Sequence, residues 1–232
     1  MKSVRRINAC QVTVEGGLLT LRAASTPNIR CGDNTLRNFT SGWIQTNNFR
    51  SVPNSSCSYL IAANCSMPSR KYVGLWPAAW TWAQSGCWPG GGEIDVVEGN
   101  SNPIYPAATA SYHWSHDPNC RIKNGDNRDM EKKGFGALYA PLRSELEPDF
   151  WTNFHVFYAI WSRTKIEFYL DGDAEPTYVK RASDGIFIAN TSQKLILDLD
   201  VQPVDEDWLH NYDDKAMFQV DFLNVYRKCS AS

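Results

Sequence analysis

Apolar positions along this chain come in short runs that alternate with polar residues, and Gly, Pro, Asn or Asp interrupts nearly every longer segment. Plausible strands are 16–23 (GGLLTLRA), 42–49, 59–64, 74–82 (GLWPAAWTW), 92–98, 108–114, 153–161 (NFHVFYAIW), 165–170, 194–201 (KLILDLDV) and 218–226. Helical periodicity is scarce. Strands this short and numerous predict an all-β fold, an antiparallel sandwich. KIEFYLDGDAEPTYV reads as a hairpin with Asp171-Gly172 as its turn dipeptide. In NFHVFYAIW, Phe154, Val156, Tyr158 and Ile160 share one face, and His155, Phe157, Ala159 and Trp161 share the other. Both faces are largely apolar, so this strand is expected to be covered on both sides. Residues 115–150 form the longest stretch without strand signals, a length typical of functional surface excursions. No repeat, low-complexity tract or linker divides the chain, so one domain is expected over residues 1–232.

One strand breaks the alternation. EIDVVEG (93–99) places Glu93, Asp95 and Glu98 among β-branched residues, behind the turn-forming CWPGGG. Strand side chains alternate, so Glu93 and Asp95 share a face while Glu98 should point away. A β-bulge at Val96 or Val97 would reset the facing and project all three acids from one side. A single acid on a strand is best read as solvated, but three acids between bulky apolar residues are harder to explain so. The spacing does not fit an EF-hand loop. The chain has no G-x-S-x-G elbow and no H-E-x-x-H. On a curved strand, two glutamates could converge to the ~5–5.5 Å carboxyl separation of retaining glycosidases.

Composition narrows the setting. The formal charge of -2 gives no electrostatic reason to expect nucleic acid as a partner. Aromatic residues make up 12% of the chain, enough both for a β core and for a surface that stacks on sugar rings. No apolar run approaches the ~20 residues that span a bilayer, so no membrane partner is expected. The first residues contain no apolar signal-peptide core. Four N-glycosylation patterns begin at Asn38, Asn54, Asn64 and Asn190. Seven cysteines without metal-knuckle or C-x-x-C spacing suggest disulfides and a leftover thiol. A secreted, extracellular protein fits these features best.

LWPAAWTW followed by CWPGGGEIDVVEGN resembles the central strands of glycoside hydrolase family 16, in particular the laminarinase-like endo-β-1,3-glucanases. That family is recognised by a bulged E-x-D-x-x-E, which laminarinases precede with W-P-x-x-G. Here the match runs without a gap from Trp88 to Glu98, and other strand segments resemble the family across most of residues 16–228. The resemblance implies a β-jelly-roll of two curved antiparallel sheets with a concave cleft, lacking the family's usual opening strand. It implies retaining cleavage of internal β-1,3 or mixed β-1,3-1,4 linkages in a glucan such as laminarin. Glu93 would be the nucleophile, Asp95 its helper and Glu98 the general acid/base. Trp88 and His113 would face the cleft; Trp80 and Trp208 are further candidates for sugar contact, and Trp76 and Trp82 could equally be core. In the segment SYLIAANCSMP, Ala62 and Asn64 stand where the family has a Glu and an Arg that shape the glycone side of the cleft. The expected partner is a polysaccharide, the expected state a monomer. No cofactor is required, although the resemblance allows a structural Ca²⁺ at Asp221. Two alternatives share the fold: a non-catalytic β-glucan-recognition module, which Glu93 and Glu98 argue against, and a galactan-cleaving enzyme of the agarase or carrageenase kind.

Overall fold

The computed structural model describes residues 11–30, 36–47, 52–84, 86–100, 107–116, 119–120, 150–202 and 212–230. Fourteen strands account for most of them: β1 (Val12–Glu15), β2 (Leu18–Arg22), β3 (Ala24–Arg30), β4 (Leu36–Thr40), β5 (Trp43–Gln45), β6 (Cys57–Ser66), β7 (Leu75–Ala83), β8 (Glu93–Asn100), β9 (Ala107–His113), β10 (His155–Trp161), β11 (Lys165–Leu170), β12 (Tyr178–Arg181), β13 (Gln193–Val201) and β14 (Met217–Cys229). A seven-stranded sheet runs β1-β2-β14-β6-β10-β11-β12, and a five-stranded sheet runs β5-β13-β7-β8-β9. β3 and β4 pair only with each other. All pairings are antiparallel, giving the expected β-jelly-roll sandwich.

Alternation fixes which residues lie between the sheets. From the seven-stranded sheet come Ile61, Ala63, Cys65, Phe157, Trp161 and Phe168; from the other come Leu75, Ala79, Ile94, Ala110, Tyr112 and Leu197, all buried in one cluster. Each fully buried side chain of Ile or Phe size contributes about 1.5–3 kcal/mol. The opposite face of the five-stranded sheet carries a second, smaller cluster of Ala78, Trp80 and Ile196, edged by Trp43 and Trp76. That outer face is where the acids emerge.

Several local expectations are met in altered form. β11 and β12 form the hairpin, and Asp171 (φ 51) and Gly172 (φ 77) make the left-handed corner. The connection nevertheless runs seven residues, 171–177, because β12 begins only at Tyr178. Among the described residues, β10 is fully covered on one side only. Phe157, Ala159 and Trp161 are buried, whereas Val156, Tyr158 and Ile160 are half-buried on the outer face, where Tyr158 stacks on Tyr169. Tyrosine tolerates that position because its ring is covered by a cross-strand neighbour while its hydroxyl meets solvent. The strands β1, β3 and β4 were not anticipated. Nearly all of 115–150 lies outside the described residues.

Disulfides join Cys57 to Cys229 and Cys87 to Cys120, and Cys65 is a buried thiol. Cys10 and Cys31 lie outside the described residues. No helix among the described residues is long and apolar enough to cross a membrane.

Candidate active site

The acid strand β8 carries the bulge that its spacing demands. Against β7, Trp82 pairs with Glu93, Trp80 with Asp95 and Ala79 with Val97, so the register steps over Val96. Against β9, Asp95 pairs with Ser111 and Glu98 with Thr109, so Val96 and Val97 together face Ala110. Both valines turn into the core, each 1% exposed. Two apolar side chains are thus absorbed on one face, and Glu93, Asp95 and Glu98 emerge together on the other.

Each acid meets a different environment. Trp88 Nε1 donates to Glu93 Oε2 at 2.7 Å, and Trp76 Nε1 donates to Glu98 Oε1 at 2.9 Å. Asp95 lies between them, 1% exposed, with Oδ2 buried and lacking a hydrogen-bond partner. His113, the β9 partner of Glu93, brings Nε2 to 3.2 Å from Asp95 Oδ2. Burial, then the charge of Asp95, pushes the Glu93 carboxyl up from 4.5 to about 8, against the opposing effects of His113 and the Trp88 N–H. Burial and Glu98 push Asp95 well above the usual carboxylate range, while a hydrogen bond with Glu93 opposes this. Glu98 is raised chiefly by burial, and Trp76, His113 and Ser111 counteract it. Three carboxyls crowded in low dielectric cannot all ionise at neutral pH. Asp95, the most buried of the three, shares a hydrogen bond with Glu93 and couples the ionisation of the cluster.

The turn ahead of β8 is tied down from several sides. Gly92 N donates to Pro89 O at 2.9 Å, closing the turn. Gln193 Nε2 and Thr191 Oγ1 both donate to Gly91 O, and the Cys87–Cys120 bridge clamps the turn's start. Gly92 has φ +80, and a Cβ there would lie 2.6 Å from Ala189 Cβ, so only glycine fits. This anchoring holds Trp88 over Glu93, 43% exposed, with its ring 5.9 Å from that of His113.

The tryptophans of β7 divide by exposure. Trp80, a candidate for sugar contact, is on the acid face but only 8% exposed. Trp43 packs on it edge-on, Trp82 stacks on it, and its Nε1 donates to Asp198 Oδ1 at 2.7 Å. It therefore supports the face from below. Trp82, 39% exposed and beside Glu93, offers the open ring instead. Asp198 was missed, although the alternation in LDLDV could have pointed to it: Asp198 and Asp200 lie on the face opposite Leu197 and Leu199. Trp208 lies outside the described residues.

Two expected positions are elsewhere. Ala62 and Asn64 face away from the core on the seven-stranded sheet, paired across to Tyr158 and Val156, so neither reaches the acid face. Their neighbours Ile61, Ala63 and Cys65 turn inward, and strand parity leaves 62 and 64 on the outside. Asp221 sits at the bulge of β14 on that same sheet and accepts a hydrogen bond from Asn64 Nδ2 at 3.0 Å. Residues 1–10, where an N-terminal calcium partner for Asp221 would lie, are outside the described residues.

Comparison with known proteins gives a consistent picture. Residues 41–139 match the family model described as the XgeA-like, catalytic GH16 domain. No curated protein matches the sequence. Among solved structures, the endo-β-1,3-glucanase from Pyrococcus furiosus is similar with a TM-score of 0.74 and 22% identity, over 99% of this chain and 82% of that one. The laminarinase catalytic domain from Thermotoga maritima MSB8 is similar with a TM-score of 0.68 and 22% identity, over 99% of this chain and 84% of that one. A family 16 glycosyl hydrolase from Mycobacterium smegmatis is similar with a TM-score of 0.65 and 18% identity, over 96% and 81%. The stretch 41–139, which contains the bulged acid strand, thus matches a catalytic domain of glycoside hydrolase family 16, and the solved structures share the fold of the chain.

Proposed function

We propose that the protein is a retaining endo-glycoside hydrolase that cleaves internal β-1,3 or mixed β-1,3-1,4 linkages of a glucan such as laminarin, and that it works outside the cell. The observation that carries this reading is the bulge in β8, which brings Glu93, Asp95 and Glu98 to one side of an aromatic-edged sheet. Glu93 attacks the anomeric carbon while Glu98 protonates the departing glycosidic oxygen; Glu98, now a carboxylate, then activates water to release the glycosyl-enzyme. Asp95, between the two glutamates, hydrogen-bonds Glu93 and tunes the ionisation of both. The indole of Trp88 fixes the orientation of Glu93, and that of Trp76 does the same for Glu98. The exposed rings of Trp82 and Trp88 suit a sugar chain lying along an open face, as cleavage within a polymer requires.

The test is a panel of laminarin, lichenan, agarose and carrageenan with reducing-end detection. New reducing ends from laminarin or lichenan, falling viscosity and a mixture of oligosaccharides are expected. Binding to laminarin without new ends would replace this reading with a recognition module. Cleavage of agarose or carrageenan alone would move it to galactans.

A further inference from the structure

The acid face has a property that hydrolysis does not use. Asp95 Oδ2 is buried without a hydrogen-bond partner, yet His113 Nε2 lies 3.2 Å away. That contact is an ion pair when the imidazole is protonated; with a neutral imidazole, the oxygen and the nitrogen stand side by side as two ligand atoms. Ligand atoms of Glu93, Asp95 and His113 all lie within 4.8 Å of one another. A zinc-like ion with ligands at roughly 2.0–2.2 Å separates neighbouring ligand atoms by about 3.0 Å at an octahedral angle and about 3.4 Å at a tetrahedral one. The pair at 3.2 Å has that bite.

From this geometry we infer that Glu93, Asp95 and His113 form a chelating site for a divalent transition-metal ion, one that blocks the same face the proposed function uses. Once the ion displaces their protons, the two carboxylates and a neutral imidazole balance a dication. A nitrogen ligand among oxygens favours zinc-like ions over calcium or magnesium, which prefer oxygen alone. Glu93 is the longest arm of the three, and its side-chain torsions allow one oxygen to swing in. The open sheet face leaves the remaining coordination positions to water. An ion held there occupies the proposed nucleophile and its helper, so metal and sugar chain exclude each other. The site is therefore inhibitory.

The test is calorimetric titration of the purified protein with zinc chloride in the absence of any sugar. About one saturable zinc per chain is expected. His113→Gln and Asp95→Asn should each weaken zinc binding by about tenfold or more. Glu98→Gln, outside the chelating trio, should leave affinity within about threefold. Circular dichroism of the zinc-free proteins checks folding, and either trio variant suffices if the other does not fold. No saturable binding, or unchanged affinity in a folded trio variant, overturns the inference. In a parallel arm, zinc should raise KM for laminarin at constant kcat, and chelator should reverse it. Zinc binding in a protein that leaves every glucan intact would support the metal site and overturn the functional reading. Glucan cleavage by a protein that binds no zinc would do the reverse.

Discussion

Replacing Glu93 with Gln isolates the energetic cost of the site. Glutamine keeps the shape and leaves Trp88 Nε1 an amide oxygen to donate to, so the hydrogen bond across the turn survives. What disappears is a carboxyl that burial and Asp95 push up from 4.5 to about 8. Between those two values the folded protein binds more protons than the unfolded chain, so its stability falls as pH rises through that window. Below about pH 4 both states are protonated and the carboxyl costs nothing by this route. Above about pH 8 the full cost is present. At 1.36 kcal/mol per pH unit, the gap sets a ceiling of roughly 5 kcal/mol. Sharing of protons with Asp95 and Glu98 lowers the realised figure to about 1–3 kcal/mol. For a chain of this size each kcal/mol moves the melting temperature by about 2–4 °C. Glu93→Gln should therefore melt roughly 3–10 °C higher than the parent at pH 8.5, and level with it near pH 4. Scanning fluorimetry from pH 4 to 9 measures this directly. A difference between variant and parent that stays constant across that range would refute the reasoning.

Four further outcomes follow from the same geometry. Trp88→Ala should cost more than tenfold in kcat/KM on laminarin, from roughly 1–3 kcal/mol of lost ring contact and lost orientation of Glu93; unchanged kinetics in a folded variant removes Trp88 from the site. With azide and an activated aryl glycoside, Glu93→Ala should give the inverted glycosyl azide and Glu98→Ala the retained one, distinguishable by NMR; products of like configuration would mean the two roles are misassigned. Deleting Val96 removes the bulge but keeps the facing of Glu98, because Glu93, Asp95 and Glu98 then alternate regularly on one side; a cooperatively folding protein that retains some activity on laminarin is expected, and loss of cooperative folding is incompatible with the bulge. Replacing Cys57 and Cys229 together by Ala should lower stability by about 2–4 kcal/mol in urea titration, because the bridge closes a long loop; an unchanged midpoint counts against it.

The acid strand was legible because its anomaly was arithmetic: an odd step from Asp95 to Glu98 in a strand requires one extra residue. The fold class followed from short, punctuated apolar runs. Facing was harder to read wherever it depended on the partner strand. Nothing in SYLIAANC says that residues 62 and 64 turn outward, because inward and outward positions there are both small or apolar. Trp80 and Trp82 share a face, yet their unequal exposure comes from Trp43 and Asp198, which arrive from β5 and β13. β3 (ASTPNIR) and β4 (LRNFT) escaped notice because their sequences are polar and irregular, and their pairing is itself interrupted between Ser25 and Ile29. The two-sided covering expected of β10 failed for a related reason. A hydrophobic outer face can be shielded by neighbours in its own sheet, with no further layer.

The strand order also dictates when the sandwich can assemble. β14, at 217–229, runs between β2 and β6, and β13, at 193–201, runs between β5 and β7. Each sheet therefore keeps an interior place open for a strand that the ribosome delivers late. Until then β2 and β6 have no edge in common, and exposed backbone on both invites the wrong partners. Contacts of such long sequence separation make for slow folding, by the loss of chain entropy that precedes each pairing. Chains released before residue 217 should be aggregation-prone rather than partly functional, even though every proposed catalytic acid has been made by residue 98.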